Sequence, residues 1–375
     1  MEHYLDNSAT TKVCREAAEA ALTAMTEIYG NPSSTHTKGR EAKKLLDKAR
    51  KQVADALGCT AQELFFTSCG SESDNWAILY GAEYMKRKGK HIISSAVEHD
   101  AVRKSLDELE ARGFEVTRLM PEKDGSISAE SVKNSLRADT ILVSLMMVNN
   151  ETGGVTDISA VSRLLKKSGS QALLHTDAVQ AFLKVPFSAK TLGADMISIS
   201  GHKVHAPKGI GALYIKNGVK IKPMIIGGSQ ENGRRAGTEA MSQIAAFGAA
   251  CEAAGNVTGH SEKMLNLKKL CLELLSGSIP ELCYVDSASP HILSISLPGW
   301  RSEVLMNYME AQEIYVSKSS ACKKGGRSHV LEAIGLEPKV IDGAIRIGLS
   351  RFSTEEDIRA LCTALKEAHA TLAHS

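Results

Sequence analysis

The stretch Met196–Gly209, MISISGHKVHAPKG, decides the fold. Its first five residues read as a short buried strand. Gly201, His202 and Lys203 follow at once, and a Pro/Gly-rich turn closes the segment. A lysine taken alone is most often a solvated surface residue. This one stands at the carboxyl end of a buried strand, and in a parallel sheet ligands bind outside those ends.

The same succession of strand, polar tip and helix recurs on both sides. Strands are expected at Glu63–Ser68, His91–Ser95, Glu115–Met120, Thr140–Val148, Ala172–Thr176 and Gly211–Ile215. Thr140–Val148 is apolar throughout, as for a strand covered on both faces. Helices are expected at Ser71–Met85, Ala129–Leu136 and Asp157–Ser168; the last puts Ile158, Val161, Leu164 and Leu165 on one face and stops at Gly169. Alternation of this kind implies an α/β fold with a mostly parallel sheet and right-handed crossovers. Residues 15–260 read as one large α/β domain. Beyond about 260 come a helix at Ser261–Leu275, strands near His291–Leu297, Tyr315–Val316 and Ala344–Leu349, and a helix at Glu303–Ala311. Residues 1–14 and 261–375 are therefore expected to form a smaller α+β domain.

Composition narrows the class. Across 375 residues, 45 Lys+Arg nearly balance 43 Asp+Glu. Nucleic-acid binding through bulk charge is thereby excluded. With 43% hydrophobic and 23% charged residues, the chain can bury a substantial core. No apolar run reaches the length of a membrane span, and MEHYLDNSATTK has no apolar signal core. None of the eight cysteines forms a C-x-x-C pair, so zinc-ribbon and thioredoxin patterns are absent and no metal is expected. A soluble cytoplasmic protein with reduced thiols is the expectation.

The strand tips carry the chemistry. After the first strand come Cys69, Gly70, Ser71 and Glu72; then, at successive tips, Glu98 and His99; Asn149, Asn150 and Glu151; Asp177 with Gln180; and Gly201, His202 and Lys203. Each has an ordinary explanation. The segment TSCGSES is a Gly turn opening a helix. His99 alone is a hydrogen-bonded structural histidine. Asp177 is a helix N-cap, and the spacing to Gln180 sets both on one helical face. Together they ask for more. A lysine can form a Schiff base with an aldehyde. Hydroxyls, a histidine and a helix N-terminus can hold a phosphate. A buried carboxylate can keep a pyridine nitrogen protonated. Pyridoxal 5'-phosphate meets all three demands. A nicotinamide cofactor fits worse, because no G-x-G-x-x-G follows the first strands.

At this point the sequence resembles the cysteine desulfurases of the NifS/IscS type, within the fold-type I, aminotransferase class V group of pyridoxal-phosphate enzymes. The likeness runs nearly end to end: YLDNSATT (Tyr4–Thr11), GNPSSTH (Gly30–His36), FTSCGSESDN (Phe66–Asn75), EHDAV (Glu98–Val102), VNNETG (Val148–Gly153), HTDAVQ (His175–Gln180), SGHKVHAPKGIGALY (Ser200–Tyr214), RRAGTE (Arg234–Glu239), SSAC (Ser319–Cys322) and IRIGLSRF (Ile345–Phe352). It implies that Lys203 is the Schiff-base lysine and that Gly70, Ser71, Ser200 and His202 bind the phosphate. Thr238 would reach the phosphate of a partner subunit, which implies a homodimer. Asp177 would face the pyridine nitrogen, Gln180 the ring hydroxyl, and His99 the ring face, where it also moves protons. Asn150 and Arg351 would hold the carboxylate of L-cysteine, Arg through its planar fork.

Cys322 would accept sulfur as a persulfide while L-alanine leaves, for delivery to an Fe–S scaffold protein or a tRNA-thiolation enzyme. Lys318, Lys323, Lys324 and Arg327 are expected to stabilise its thiolate, and Gly325 and Gly326 to let its segment move. The sequence departs from the family pattern in three respects. The glycine of Ser-Gly-Ser-Ala-Cys is missing from Ser317–Cys322, and the stretch after Cys322 is short. The phosphate loop has Cys69-Gly70-Ser71 for the usual Gly-Ala-Thr, leaving Cys69 near the cofactor without a role. A selenocysteine lyase, a C–S lyase or a class V aminotransferase on the same scaffold is the alternative.

Overall fold

The computed structural model of the chain describes residues 2–319 and 326–372. At its centre lies a seven-stranded sheet. Its spatial order is Leu64–Thr67, Gly211–Ile215, Met196–Ser200, Leu173–Asp177, Thr140–Ser144, His91–Ser95 and Glu115–Leu119. Gly211–Ile215 runs antiparallel to both neighbours; the other pairings are parallel. Six of these strands, all but Glu115–Leu119, are buried along their whole length. That is why they read as apolar runs and not as alternation.

Helices cover both faces. The helix Gly70–Met85 packs on one face with Asp100–Ala111, around Trp76, Ile78, Ile92 and Leu106. On the other face Ile158–Lys167 packs with a layer not anticipated from sequence: Arg15–Thr26, Thr37–Leu57 and Met241–Ala254. A second core holds Leu5, Met264, Cys271, Trp300, Leu305, Ile345 and Leu361. It lies between a four-stranded antiparallel sheet and the helices Val257–Ser276, Ser302–Glu310 and Glu355–Thr371. That sheet runs Ser317–Lys318, Ala344–Gly348, Ile292–Ser296 and Cys283–Tyr284. The first strand, His3–Tyr4, pairs in parallel with Ile314–Tyr315. The N-terminus thus belongs to the second core, on which Leu5 is fully buried. No helix among the described residues is long and apolar enough to cross a membrane.

The run Thr140–Val148 departs from the nine-residue strand expected. The ladder ends at Ser144. Leu145 N and Met147 N still donate to His175 O and Asp177 O. On the other side, Met146 N is met by the Glu98 side chain at 3.1 Å. A side chain has replaced the neighbouring strand, and the chain is free to turn toward Asn149–Gly154.

Candidate active site

Lys203 ends the 3-10 turn Gly201–Lys203 that follows strand Met196–Ser200. Its Nζ donates to Ser8 O at 2.6 Å and to Ala9 O at 2.7 Å. These carbonyls belong to an N-terminal strap pinned on both sides. Asn7 Nδ2 donates to Gly348 O at 2.9 Å, and Thr11 Oγ1 to His202 O at 2.9 Å.

Asp177 closes its strand, buried, with Oδ1 accepting from Val179 N at 2.8 Å. Burial pushes its carboxyl pKa up, and the charges of His99 and Lys203 pull it back. Three expected residues therefore share one electrostatic neighbourhood. His99 caps the helix Asp100–Ala111, its Nδ1 accepting from Ala101 N at 3.1 Å.

The expectation of one helical face for Asp177 and Gln180 is corrected. Residues 179–185 are hydrogen-bonded turns, with Phe182 N and Val185 N reaching Ala178 O and Ala181 O. Leu183, at φ +58°, adopts the left-handed region and prevents a regular helix. Gln180 still turns inward, its Nε2 donating to Ser8 O at 2.8 Å.

The residues expected at a phosphate form a tight corner. Gly70 opens the helix Gly70–Met85, and a Cβ there would lie 2.8 Å from Val179 Cγ2. Ser200 Oγ is buried with no partner among the described residues, 4.0 Å from that Cβ position. An orphaned hydroxyl beside the N-terminus of a 16-residue helix suits an anion. Ser71, in the first turn, is exposed. His202 Nδ1 lies 3.2 Å from Thr10 Oγ1, and burial, with Lys203 and Lys184 nearby, pushes its pKa down to about 4. Its imidazole is neutral at pH 7. Cys69 is half-buried, its Sγ 3.7 Å from Ser68 Oγ, and nothing in the structure gives it a role.

Other expected residues are less gathered. Asn150 is half-buried, its carbonyl accepting from Arg346 Nη1 at 2.8 Å. The Arg351 guanidinium lies over the Phe352 ring, 4.9 Å from its centroid. Thr238 is exposed on the single chain, three residues after Arg235, whose Nε pairs with Glu72 Oε1 at 3.0 Å. Cys322, with Lys323, Lys324 and Gly325, lies outside the described residues. Two of the cations expected to act on its thiol are engaged elsewhere: Lys318 pairs with Glu303 at 2.6 Å and Arg327 with Asp342 at 2.8 Å. Their field on a thiol is partly cancelled by those carboxylates.

Sequence reasoning gave no role to several buried groups. Lys184 is 5% exposed and donates to Gln180 Oε1 at 3.3 Å. Burial, with the charges of Lys203 and Arg346, holds its amine well below the usual lysine range. A lysine inside the apolar run AFLKVPF, four residues after Gln180, was the signal. Behind Asp177 lie Asp74, Glu98 and His175, all buried. His175 Nε2 is 3.0 Å from Ser198 Oγ and 3.6 Å from Asp74 Oδ1.

The pattern of the family described as aminotransferase class-V matches residues 3–361. A cysteine desulfurase IscS of Methanosarcina thermophila is 42% identical over 361 residues, 95% of this chain and 89% of that protein. A cysteine desulfurase of Trichormus azollae is 41% identical, over 97% of this chain and 92% of its own length. Among solved structures, a NifS-like protein superposes with a TM-score of 0.93 at 36% identity, covering 99% of this chain and 100% of the other. A protein titled SspA in complex with cysteine gives 0.82 at 32% identity, over 94% and 100%.

Proposed function

The chain belongs to the aminotransferase class-V family and is a cysteine desulfurase; from that premise we propose which of its residues perform each part of the reaction. Pyridoxal phosphate is the cofactor of the family, and the corner around Ser200 and Gly70 fits its phosphate. When bound, it supplies an aldehyde that an amine can capture and a ring that stores an electron pair.

Lys203 would hold the cofactor through its amine, and the same amine, when free, would take the Cα proton of the substrate. The support is geometric: its amine is fixed by two carbonyls at the sheet edge, beside Asp177. Asp177 presents a carboxylate to the ring nitrogen, favoured there by the charges of His99 and Lys203. Gln180, fixed between Ser8 and Lys184, offers its amide to the ring hydroxyl. Ser200, Gly70, Ser71 and neutral His202 hold the phosphate. His99 covers the ring and carries protons. Asn150 and Arg351 bind the substrate carboxylate.

Cys322 then attacks the sulfur of the substrate as a thiolate. A sulfur–sulfur bond forms and the carbon–sulfur bond breaks, its electron pair passing to the carbon skeleton, which is protonated and leaves as L-alanine. Holding thiolate and substrate together makes the transfer effectively intramolecular. Thr238, exposed here, completes the phosphate site of a second copy. Leu22, Met25 and Tyr29, all exposed, offer apolar surface for such a dimer. The persulfide is passed to an acceptor protein of Fe–S assembly or thiolation, in the cytoplasm.

The observation that carries the reading is the fixed amine of Lys203 beside a buried carboxylate. Its test is the yellow holoenzyme with L-cysteine and a thiol reductant, alanine and sulfide being quantified together. Equimolar products are expected, with Lys203→Ala at least about 10³-fold slower, as for loss of a covalent-catalysis residue. Pyruvate in place of alanine, or near-normal alanine from Lys203→Ala, overturns the assignment.

A further inference from the structure

Two buried ionic side chains, Arg346 and Glu151, have no part in the steps above. Both bear on the described flanks of residues 320–325. Arg346, 2% exposed, lies in the strand Ala344–Gly348. Its Nη1 donates to Asn150 O at 2.8 Å; its Nη2 donates to Ser317 Oγ at 2.8 Å and Asp6 Oδ1 at 3.3 Å. Glu151, 6% exposed, follows Asn150 directly. Its Oε2 accepts from Ser328 Oγ. Ser328 in turn caps the short helix His329–Ala333, accepting from Leu331 N at 3.1 Å.

One flank is thus fastened through Ser317 and the other through Ser328, and both fastenings end on the adjacent residues Asn150 and Glu151. A buried carboxylate and guanidinium are expensive unless well partnered, and apolar residues would hold two layers together at lower cost. Here the polar groups specify position: each fixes a hydroxyl on one side of the segment against the turn proposed to bind the substrate carboxylate. We propose that Glu151 and Arg346 are positioning residues, which set the flanks of the sulfur-accepting segment against the Asn150 turn and so set the approach of the acceptor thiol to bound L-cysteine. This rests on the reading of Cys322 and Asn150 given above.

The charged and titratable surroundings of Glu151 are Arg346 on the strand, Asp100 and Arg103 on the helix Asp100–Ala111, and His329, 3.4 Å from Arg103 Nη1. Burial pushes the Glu151 carboxyl up to about 7, against the pull of Ser328 and Arg346. A glutamine keeps an acceptor for Ser328 without the titration. A leucine keeps the bulk and loses the acceptor.

The test compares the holoenzymes of Glu151→Leu, Glu151→Gln and wild type in a single turnover with L-cysteine, reading persulfide on Cys322 by mass spectrometry. For Glu151→Leu, persulfide formation is expected to slow by up to about 10²-fold, the size of a 1 Å misplacement, with KM for L-cysteine unchanged. Glu151→Gln should restore the rate, and amide hydrogen exchange at residues 326–333 should quicken in the leucine variant alone. Ser317→Ala, at a half-buried position, tests the other flank and should slow persulfide formation with KM unchanged, even where Glu151→Leu does not fold. A wild-type rate in Glu151→Leu, or a raised KM at constant rate, overturns the proposal, as does a wild-type rate in Ser317→Ala. If wild-type persulfide maps to another cysteine, the reading of Cys322 fails. In that event the exchange comparison decides whether Glu151 fastens the flank at all, and unchanged exchange refutes it.

Discussion

Glu98 carries a carboxyl that burial pushes up to about 8, even though Ser95 Oγ and Met146 N donate to it. Its second oxygen has no partner among the described residues. Asp74 is likewise raised well above the usual carboxylate range by burial and by Asp177, while burial pushes the His175 imidazole down to about 3. The interior behind Asp177 thus disfavours charge; on Asp177 itself burial also raises the carboxyl, but there the charges of His99 and Lys203 oppose it. The consequence for stability has a definite sign. Between the ordinary value of 4.5 and about 8, folded Glu98 holds a proton that the unfolded chain has lost. Its contribution is full below pH 4.5 and disappears as pH rises through 8. Urea midpoints at pH 5 and pH 9 should therefore shift in favour of Glu98→Gln at the higher pH, and parallel pH profiles would refute this. At this scale the sequence was legible where residues sit at strand tips. Glu98 was visible there, but its state was not, because desolvation depends on layers supplied from distant parts of the chain.

The helix Gly70–Met85 ties element to site. Its N-terminus meets the turn after Asp177 closely: a Cβ on Gly70 would lie 2.8 Å from Val179 Cγ2, so an alanine there needs Val179 to shift. Gly70→Ala must move the Val179 side chain, or the turn that carries it, aside. A loss of about 1–3 kcal/mol is expected from overpacking, along with weaker cofactor retention on dialysis. Unchanged retention and melting would show that the corner has slack. Element boundaries were legible where burial is two-sided: His91–Ser95, Met196–Ser200 and Gly211–Ile215 match their expected limits. The layer formed by Arg15–Thr26, Thr37–Leu57 and Met241–Ala254 was not anticipated. Met241–Ala254, MSQIAAFGAACEAA, is buried from several sides between its neighbours. Its small apolar residues therefore show no stripe for periodicity to reveal. The turns at 179–185 failed the helical expectation through one residue, Leu183, whose positive φ no sequence pattern announces.

At the scale of the whole molecule, the strap Tyr4–Thr11 joins the two cores: Leu5 is buried in one, and the carbonyls of Ser8 and Ala9 hold the lysine of the other. The proposed dimer extends that sharing across chains and is tested by complementation. In a mixed dimer of Lys203→Ala and Thr238→Ala chains, one site is doubly impaired and the other keeps both residues. Partial recovery of alanine production on mixing is expected; no recovery in verified mixed dimers would place Thr238 in the site of its own chain. By itself the sequence determined the alternation of buried strands and helices and the residues at the strand tips. Through the resemblance of its motifs it determined the family as well, because periodicity and local spacing are properties of neighbouring residues. Only the tertiary structure decided that the N-terminal carbonyls hold Lys203, that Lys184 is sealed beside Gln180, and that Glu151 and Arg346 meet at the Asn150 turn. Except for Lys184 and Gln180, four residues apart, those partners lie far apart in sequence, 196 residues in the case of Arg346 and Asn150. Their charge states follow from burial that only the packed layers create.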